Sequence, residues 1–160
     1  MLSFLNDKFQ KDGKKKFLSK AALLILMSDV LNIAYLNLYW FEKKITIPFL
    51  VKAASIQGLN LASLPRQDLV AYRQLLISTF ANVFIAFLVY HAFVYFKFAR
   101  DKQWAKKYVH GYALTGAILT LIELPSLIGD HMLWGLAMIV TTAIYIYCFL
   151  GIRYFKKSEN

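Results

Sequence analysis

Residues 17–41 read FLSKAALLILMSDVLNIAYLNLYWF. A mostly apolar run of this length matches the roughly 20 residues that a helix needs to cross a hydrocarbon core of about 30 Å. Near its midpoint stands a carboxylate, Asp29. At that depth an acid costs at least about 2.5 kcal/mol on insertion scales, so it must face protein or water rather than lipid. Three more runs follow at residues 69–96, 108–128 and 131–154. The expected fold class is all-α: a polytopic membrane protein forming a four-transmembrane-helix bundle, with residues 1–160 as a single integral membrane domain.

The composition agrees. With 59% hydrophobic, 16% aromatic and only 18% charged residues, the chain lies far from the balance of a soluble domain. Its one cysteine, Cys148, excludes an internal disulfide and any multi-cysteine redox or zinc motif.

The net charge of +10 raises the question of nucleic acid, and the placement of the charge answers it. Basic residues cluster in the N-terminal region (Lys8, Lys11, Lys14, Lys15, Lys16, Lys20), between the second and third runs (Lys97, Arg100, Lys102, Lys106, Lys107) and at the C-terminal end (Arg153, Lys156, Lys157). If the spans alternate, these clusters share one side, and the other side keeps Lys43, Lys44, Lys52, Arg66 and Arg73. Such bias marks the cytoplasmic face, so both termini are expected inside. The expected contact for these clusters is anionic lipid headgroups, with no nucleic-acid partner.

The first run exceeds the 7–15 residues of a signal-peptide core, and no small-residue cleavage site follows it, so it is expected to be a retained span. Before it, Leu2, Leu5 and Phe9 fall at helical spacing and predict an amphipathic segment on the membrane surface. The link between the first two runs is long. Thr46 with Pro48 and then Gly58 predict an interfacial helix within it. Ser63 and Pro65 predict the cap and first turn of the second span. Gly129 and Asp130 predict a tight hairpin between the last two spans.

Polar and small residues recur at spacings of three and four, which puts them on single helix faces. The first span has Ser28, Asp29, Asn32 and Tyr35; the second has Gln74, Ser78, Asn82 and Ala86. The third has Ala113, Gly116, Ala117, Thr120 and Glu123; the fourth has Ala137, Thr141, Tyr145 and Cys148. Such stripes are the usual packing surface between membrane helices.

Three constellations stand out from packing. Asp29, Asn32, Asn82 and Ser78 form a candidate polar site at the midplane, where an acid can bind a cation or relay a proton. Arg73 and Glu123 form a candidate ion pair near the outer ends of their spans. His91 and His110, on neighbouring helices, are the one pair available to ligate a b-type haem; His131 beside Asp130 reads as a helix cap or an exposed pair. No phosphate loop, zinc helix or nucleophile elbow is present.

The leading expectation is a non-enzymatic channel or transport component that conducts or relays a small ion or solute, working as a homo-oligomer or within a larger membrane complex. The alternatives are a structural or accessory membrane subunit, and a haem-binding electron-transfer subunit. Apart from that haem, no cofactor, metal or catalytic residue is expected.

Overall fold

A computed structural model of the chain describes the backbone of residues 2–157 and the side chains of residues 4–157. Every regular element in that range is helical. In order they are α1 (Leu2–Tyr35), a π-helical turn (Leu36–Trp40), α2 (Phe41–Lys44), α3 (Ile47–Ile56), a 3-10 turn (Leu61–Ser63), α4 (Arg66–Ala99), α5 (Gln103–Asp130) and α6 (Met132–Lys157). Four helical stretches, Phe4–Lys44, Arg66–Ala99, Gln103–Asp130 and Met132–Lys157, are long and apolar enough to cross a membrane. They contain the first three apolar runs of the sequence and all of the fourth except His131.

Backbone chemistry sets the breaks. Gly13 interrupts α1 with φ +69°, a conformation that glycine adopts without a Cβ penalty. Asp101 (φ 61°) closes α4 in the left-handed region. Its N–H donates to Phe98 O while the Lys102 N–H donates to Lys97 O, the two-bond closure that satisfies the last carbonyls of a helix. Gly58 closes α3 the same way, with Leu59 N–H donating to Ala54 O. At the start of α3 the Thr46 hydroxyl accepts from Phe49 N–H and Pro48 sits in the first turn, as the sequence predicts.

Three local expectations change. Ser63 does not cap α4: its hydroxyl donates to Asn60 O beside the 3-10 turn, and the Pro65 carbonyl receives the Asp68 and Leu69 N–H groups. Gly129 and Asp130 belong to the last turn of α5, so His131 alone links α5 to α6. Both helices can run that close because His131 is extended (φ −159°) and its N–H donates to Leu127 O. The amphipathic N-terminal segment is helical, but Phe9 is only 1% exposed. It packs among Phe17, Tyr147 and Tyr154 at centroid distances of 5.4, 5.4 and 5.5 Å, because the break at Gly13 re-aims the segment. The side chain of Leu2 lies outside the described residues.

The chain groups into two compact units, Met1–Asn32 with Leu88–Asn160, and Ile33–Phe87. The core of the first is built at helical spacing: Leu18, Ala21 and Ile25 on α1, Val94 and Phe98 on α4, Ala105, Val109, Ala113 and Ala117 on α5, and Tyr145, Cys148 and Ile152 on α6. The stripes of α5 and α6 therefore pack, as small residues between apolar helices do. Two glycines of α6 and α5 are contact points. A Cβ at Gly151 would collide with the Phe17 ring, and one at Gly116 would meet the Tyr145 ring at 2.7 Å. Within the same interface Thr142 Oγ1 donates to Thr120 Oγ1 at 2.7 Å.

In the second unit, Phe41, Ile45 and Leu50 form a small core with Leu76, Ile77 and Phe84 packed against it. The Phe41 ring stacks on Phe80 and Phe84 at 5.0 and 5.9 Å. The second-span stripe behaves differently from the others: Gln74, Ser78, Asn82 and Ala86 are all exposed. Here the buried positions of α4 are Leu69 and, in the first unit, His91, Val94, Tyr95 and Phe98.

Candidate functional site

Asp29 is 2% exposed and His91 is fully buried, both in the first unit. The residues at positions 25, 28 and 29 of α1 and 91, 94, 95 and 98 of α4 fall on the buried faces of their helices, and this brings the acid and the imidazole together. His91 Nδ1 lies 2.7 Å from Asp29 Oδ2, and on the other side of the ring Nε2 lies 2.7 Å from the Tyr108 hydroxyl. One imidazole thus joins a buried carboxylate to a half-buried phenol.

Three more tyrosines close around the acid. Tyr95 donates to Asp29 Oδ2 at 2.6 Å, Tyr112 donates to Oδ1 at 2.7 Å, and Tyr145 donates to Oδ1 at 3.3 Å. Tyr95 follows His91 by one helical turn, so its hydroxyl and Nδ1 approach to 2.8 Å while both address the same oxygen. Beyond them, Asn32 Nδ2 donates to the Tyr145 hydroxyl at 2.8 Å. That bond occupies a lone pair of Tyr145 and turns its O–H toward Asp29. The rings also hold one another: His91 meets Tyr112 edge to face at 4.5 Å, and Tyr112 meets Tyr145 at 5.8 Å.

Each of these bonds answers a cost. A buried carboxylate without donors is strongly unfavourable, and hydrogen bonds to a charged group contribute about 1.5–3 kcal/mol each. Four donors converge on the two oxygens of Asp29, so the acid is fully satisfied inside an apolar core. The result is a continuous hydrogen-bonded series, Tyr108–His91–Asp29–Tyr145–Asn32. Its middle is buried and its two ends, Tyr108 and Asn32, are partly exposed.

The candidate midplane set of the sequence is only partly brought together. Asn32 belongs to the network, through Tyr145 rather than by direct contact with the acid. Asn82 and Ser78 belong to the second unit and are exposed, and Ser78 donates back to Leu75 O of its own helix. Asn82 stands nine positions before His91 on α4; matching the midpoints of two apolar runs placed the wrong turn of that helix opposite the acid.

The expected pairing of Arg73 with Glu123 gives way to a different bond. Arg73 Nη2 pairs with Glu42 at 2.6 Å, and Arg73 also donates to the Glu42 and Ile45 carbonyls. It therefore ties off the C-terminal end of α2, where carbonyls lack intrahelical partners. Glu123 is exposed on α5.

The two histidines of the haem expectation have separate surroundings. Both ring nitrogens of His91 are engaged by Asp29, Tyr95 and Tyr108, so ligation would require displacing one of them. His110 stacks on Phe149 at 4.6 Å, with the two planes 21° apart. The two rings are thus held by different neighbours. Among the described residues there is also no group of three or more His, Cys, Asp or Glu side chains placed to hold a metal ion.

Sequence reasoning did not single out Tyr95, Tyr108 and Tyr112 as site residues; the position of Tyr108 reads there as an interfacial aromatic. The available signal was a pair of four-residue spacings, His91 with Tyr95 and Tyr108 with Tyr112, inside apolar runs where a phenol requires a partner. No protein-family model, no curated protein and no solved structure matches this chain, so the chemistry of the site rests on its own geometry.

Proposed function

We propose that this chain is a membrane-embedded proton-relaying component, with Asp29 and His91 as the proton-holding pair and Tyr108 and Tyr145 as its two outlets. The single observation that carries this reading is the double engagement of His91, with a buried carboxylate on Nδ1 and a half-buried phenol on Nε2.

The proton steps balance. The resting imidazole donates its Nδ1–H to the Asp29 carboxylate and accepts from Tyr108 at Nε2. Tyr108 passes its proton to Nε2 as its oxygen takes another from outside, and the imidazolium then hands its Nδ1 proton to Asp29. The acid becomes neutral and the ring is left as its Nε2–H tautomer. Release requires the neutral acid to offer its proton to the Tyr145 oxygen, the longest step at 3.3 Å, while the Tyr145 O–H turns off Asp29 and gives its own proton to water; Asn32 Nδ2 donates to that oxygen and takes no proton itself. The imidazole must then turn to restore its resting tautomer before the next transfer. Histidine and intramembrane acids are the groups most often used for such transfers. Every member comes from one chain, so self-association is not required to complete the series.

An enzymatic base is the obvious rival for an acid-oriented imidazole. Both nitrogens of the His91 ring are already engaged, by Asp29 and Tyr108, which favours transfer along the series over attack on a substrate. The charge bias of the connections supports a membrane orientation with both termini in the cytoplasm, so that Tyr108 lies toward the cytoplasmic face.

A structural reading also has its own observation: the acid is fully satisfied, as in a knot that fixes four helices. Proteoliposomes loaded with a pH-sensitive dye, driven by a potassium diffusion potential, separate the two. A relay predicts wild-type proton entry above that of empty vesicles, falling at least about tenfold in His91→Asn and in Tyr108→Phe. Wild-type vesicles no leakier than empty ones would leave only the structural knot.

A further inference from the structure

A cavity of about 220 Å³ opens in the first unit between the residues just after the Gly13 break, the first two turns of α5 and the last turns of α6. We propose that it is a binding site for a phosphate-bearing anion, either the headgroup of an anionic lipid or a free phosphomonoester. This inference does not depend on the proton relay.

Four lysines line it: Lys14, Lys106, Lys107 and Lys156. No acid is among the described lining residues. Asp101, nearby, pairs with both Lys14 and Lys106. Among the described residues, one carboxylate stands against four ammonium groups, which makes the cavity cationic. Holding Lys107 and Lys156 on the same small cavity is unfavourable until an anion arrives, and a di-anionic phosphate offers several acceptor oxygens to such a group.

The other lining residues fit the same ligand. Gln103, Lys106, Lys107 and His110 occupy one face of α5 at spacings of three and four, and Gln103 and His110 add side-chain donors. The first turn of α5 has no side-chain cap, so its N–H groups and dipole add to the attraction for an anion at that end. The floor is apolar, formed by Phe17, Leu18 and Phe155, and suits the glyceryl or upper-chain carbons next to a headgroup. A volume below the roughly 300 Å³ of the smallest drug-sized pockets admits a headgroup and not a whole lipid.

The test uses the full chain in a mild neutral detergent, with native mass spectrometry after adding phosphatidic acid or phosphatidylcholine of the same acyl chains. Wild type is expected to retain one phosphatidic acid at least about tenfold more than phosphatidylcholine. Lys107→Gln with Lys156→Gln is expected to lose that preference. Lys11→Gln with Lys15→Gln, which removes the same charge from exposed positions outside the cavity, is expected to keep it. Unchanged melting of both double variants shows that the fold is intact. Millimolar glycerol 3-phosphate then distinguishes the sources: displacement of the lipid identifies the phosphomonoester itself as sufficient, and no displacement identifies a headgroup held with its chains. Equal retention of the two lipids, or equal loss in both double variants, would overturn the proposal.

Discussion

His91 Nδ1 and Asp29 Oδ2 are 2.7 Å apart, and neither side chain exposes more than 1% of its surface. A buried pair of this kind is costly to break from one side, because the survivor keeps its charge or its unmet hydrogen bonds. Asp29→Leu is expected to destabilise the chain by about 3–5 kcal/mol. The double variant Asp29→Leu with His91→Leu should lose less than the sum of the two single losses. Denaturant titration of the detergent-solubilised protein, followed by tryptophan fluorescence, reads the cycle; additive losses would show that the two side chains are not coupled.

The tyrosines should rank by geometry. Tyr95 donates at 2.6 Å and Tyr145 at 3.3 Å to the same carboxylate. Tyr95→Phe is therefore expected to cost about 1.5–3 kcal/mol, the range for a bond to a charged group. Tyr145→Phe should cost less through the acid, and its loss is shared with Asn32, which is half-exposed and can turn to water. Thermal melting of the two variants side by side checks the order.

How far the sequence reveals this arrangement depends on the scale of the question. Four helices long and apolar enough to cross a membrane, and their approximate ends, follow from run length alone. The cap at Thr46 and the stop at Gly58 follow from backbone chemistry that acts within one turn. Asp29 is visible because a charge in an apolar run is expensive wherever it points. Its partners are not visible, because they depend on the register between helices, and an apolar run carries no mark of which turn faces which. Matching run midpoints points to Asn82; the partner is His91, the first buried position of α4 within the first unit. Arg73 shows the same limit, since its partner Glu42 came from a connecting segment whose path the sequence left open.

Close contacts at glycine give a test of packing. Gly151→Ala would drive a methyl group into the Phe17 ring, and Gly116→Ala into the Tyr145 ring. Each should cost about 1–3 kcal/mol by overpacking. Gly111→Ala, where a Cβ meets nothing within 4 Å, should instead be neutral or stabilising by up to about 1 kcal/mol. Adding Phe17→Leu to Gly151→Ala should recover part of the loss, which melting curves would show directly.

Acid should weaken the α4–α5 turn through Asp101. Burial, the largest single influence, raises its carboxyl, but hydrogen bonds and charge from Lys106 and Lys14 together bring it below its ordinary value of 3.8. A depressed folded value means that the ion pairs are fully present above about pH 3.8 and are lost as pH falls through the lower folded value. The side chain is 44% exposed, so the contribution is below about 1 kcal/mol. Asp101→Asn keeps a residue type that tolerates φ 61° and should flatten this part of the melting-temperature profile between about pH 5 and 3.

Orientation can be read with the chain's own chemistry. Cys148 is the one cysteine and is buried. On a Cys148→Ala background, Lys52→Cys should react with a membrane-impermeant maleimide on intact cells, whereas Lys11→Cys should react only after permeabilisation. The opposite pattern would reverse the proposed topology.

The partners of Asp29 also impose an order on biogenesis. They follow it in the chain by 62, 66, 83 and 116 residues. At about 5–20 residues per second of synthesis, the nearest is made roughly 3–12 s later. During that interval a first span placed in lipid would carry an acid with none of its donors. On the proposed membrane reading it would stay beside the insertion machinery, or enter as the neutral acid, until α4 is made. Completion of the site would then act as a checkpoint on assembly, and a ribosome stalled before residue 91 should leave α1 extractable.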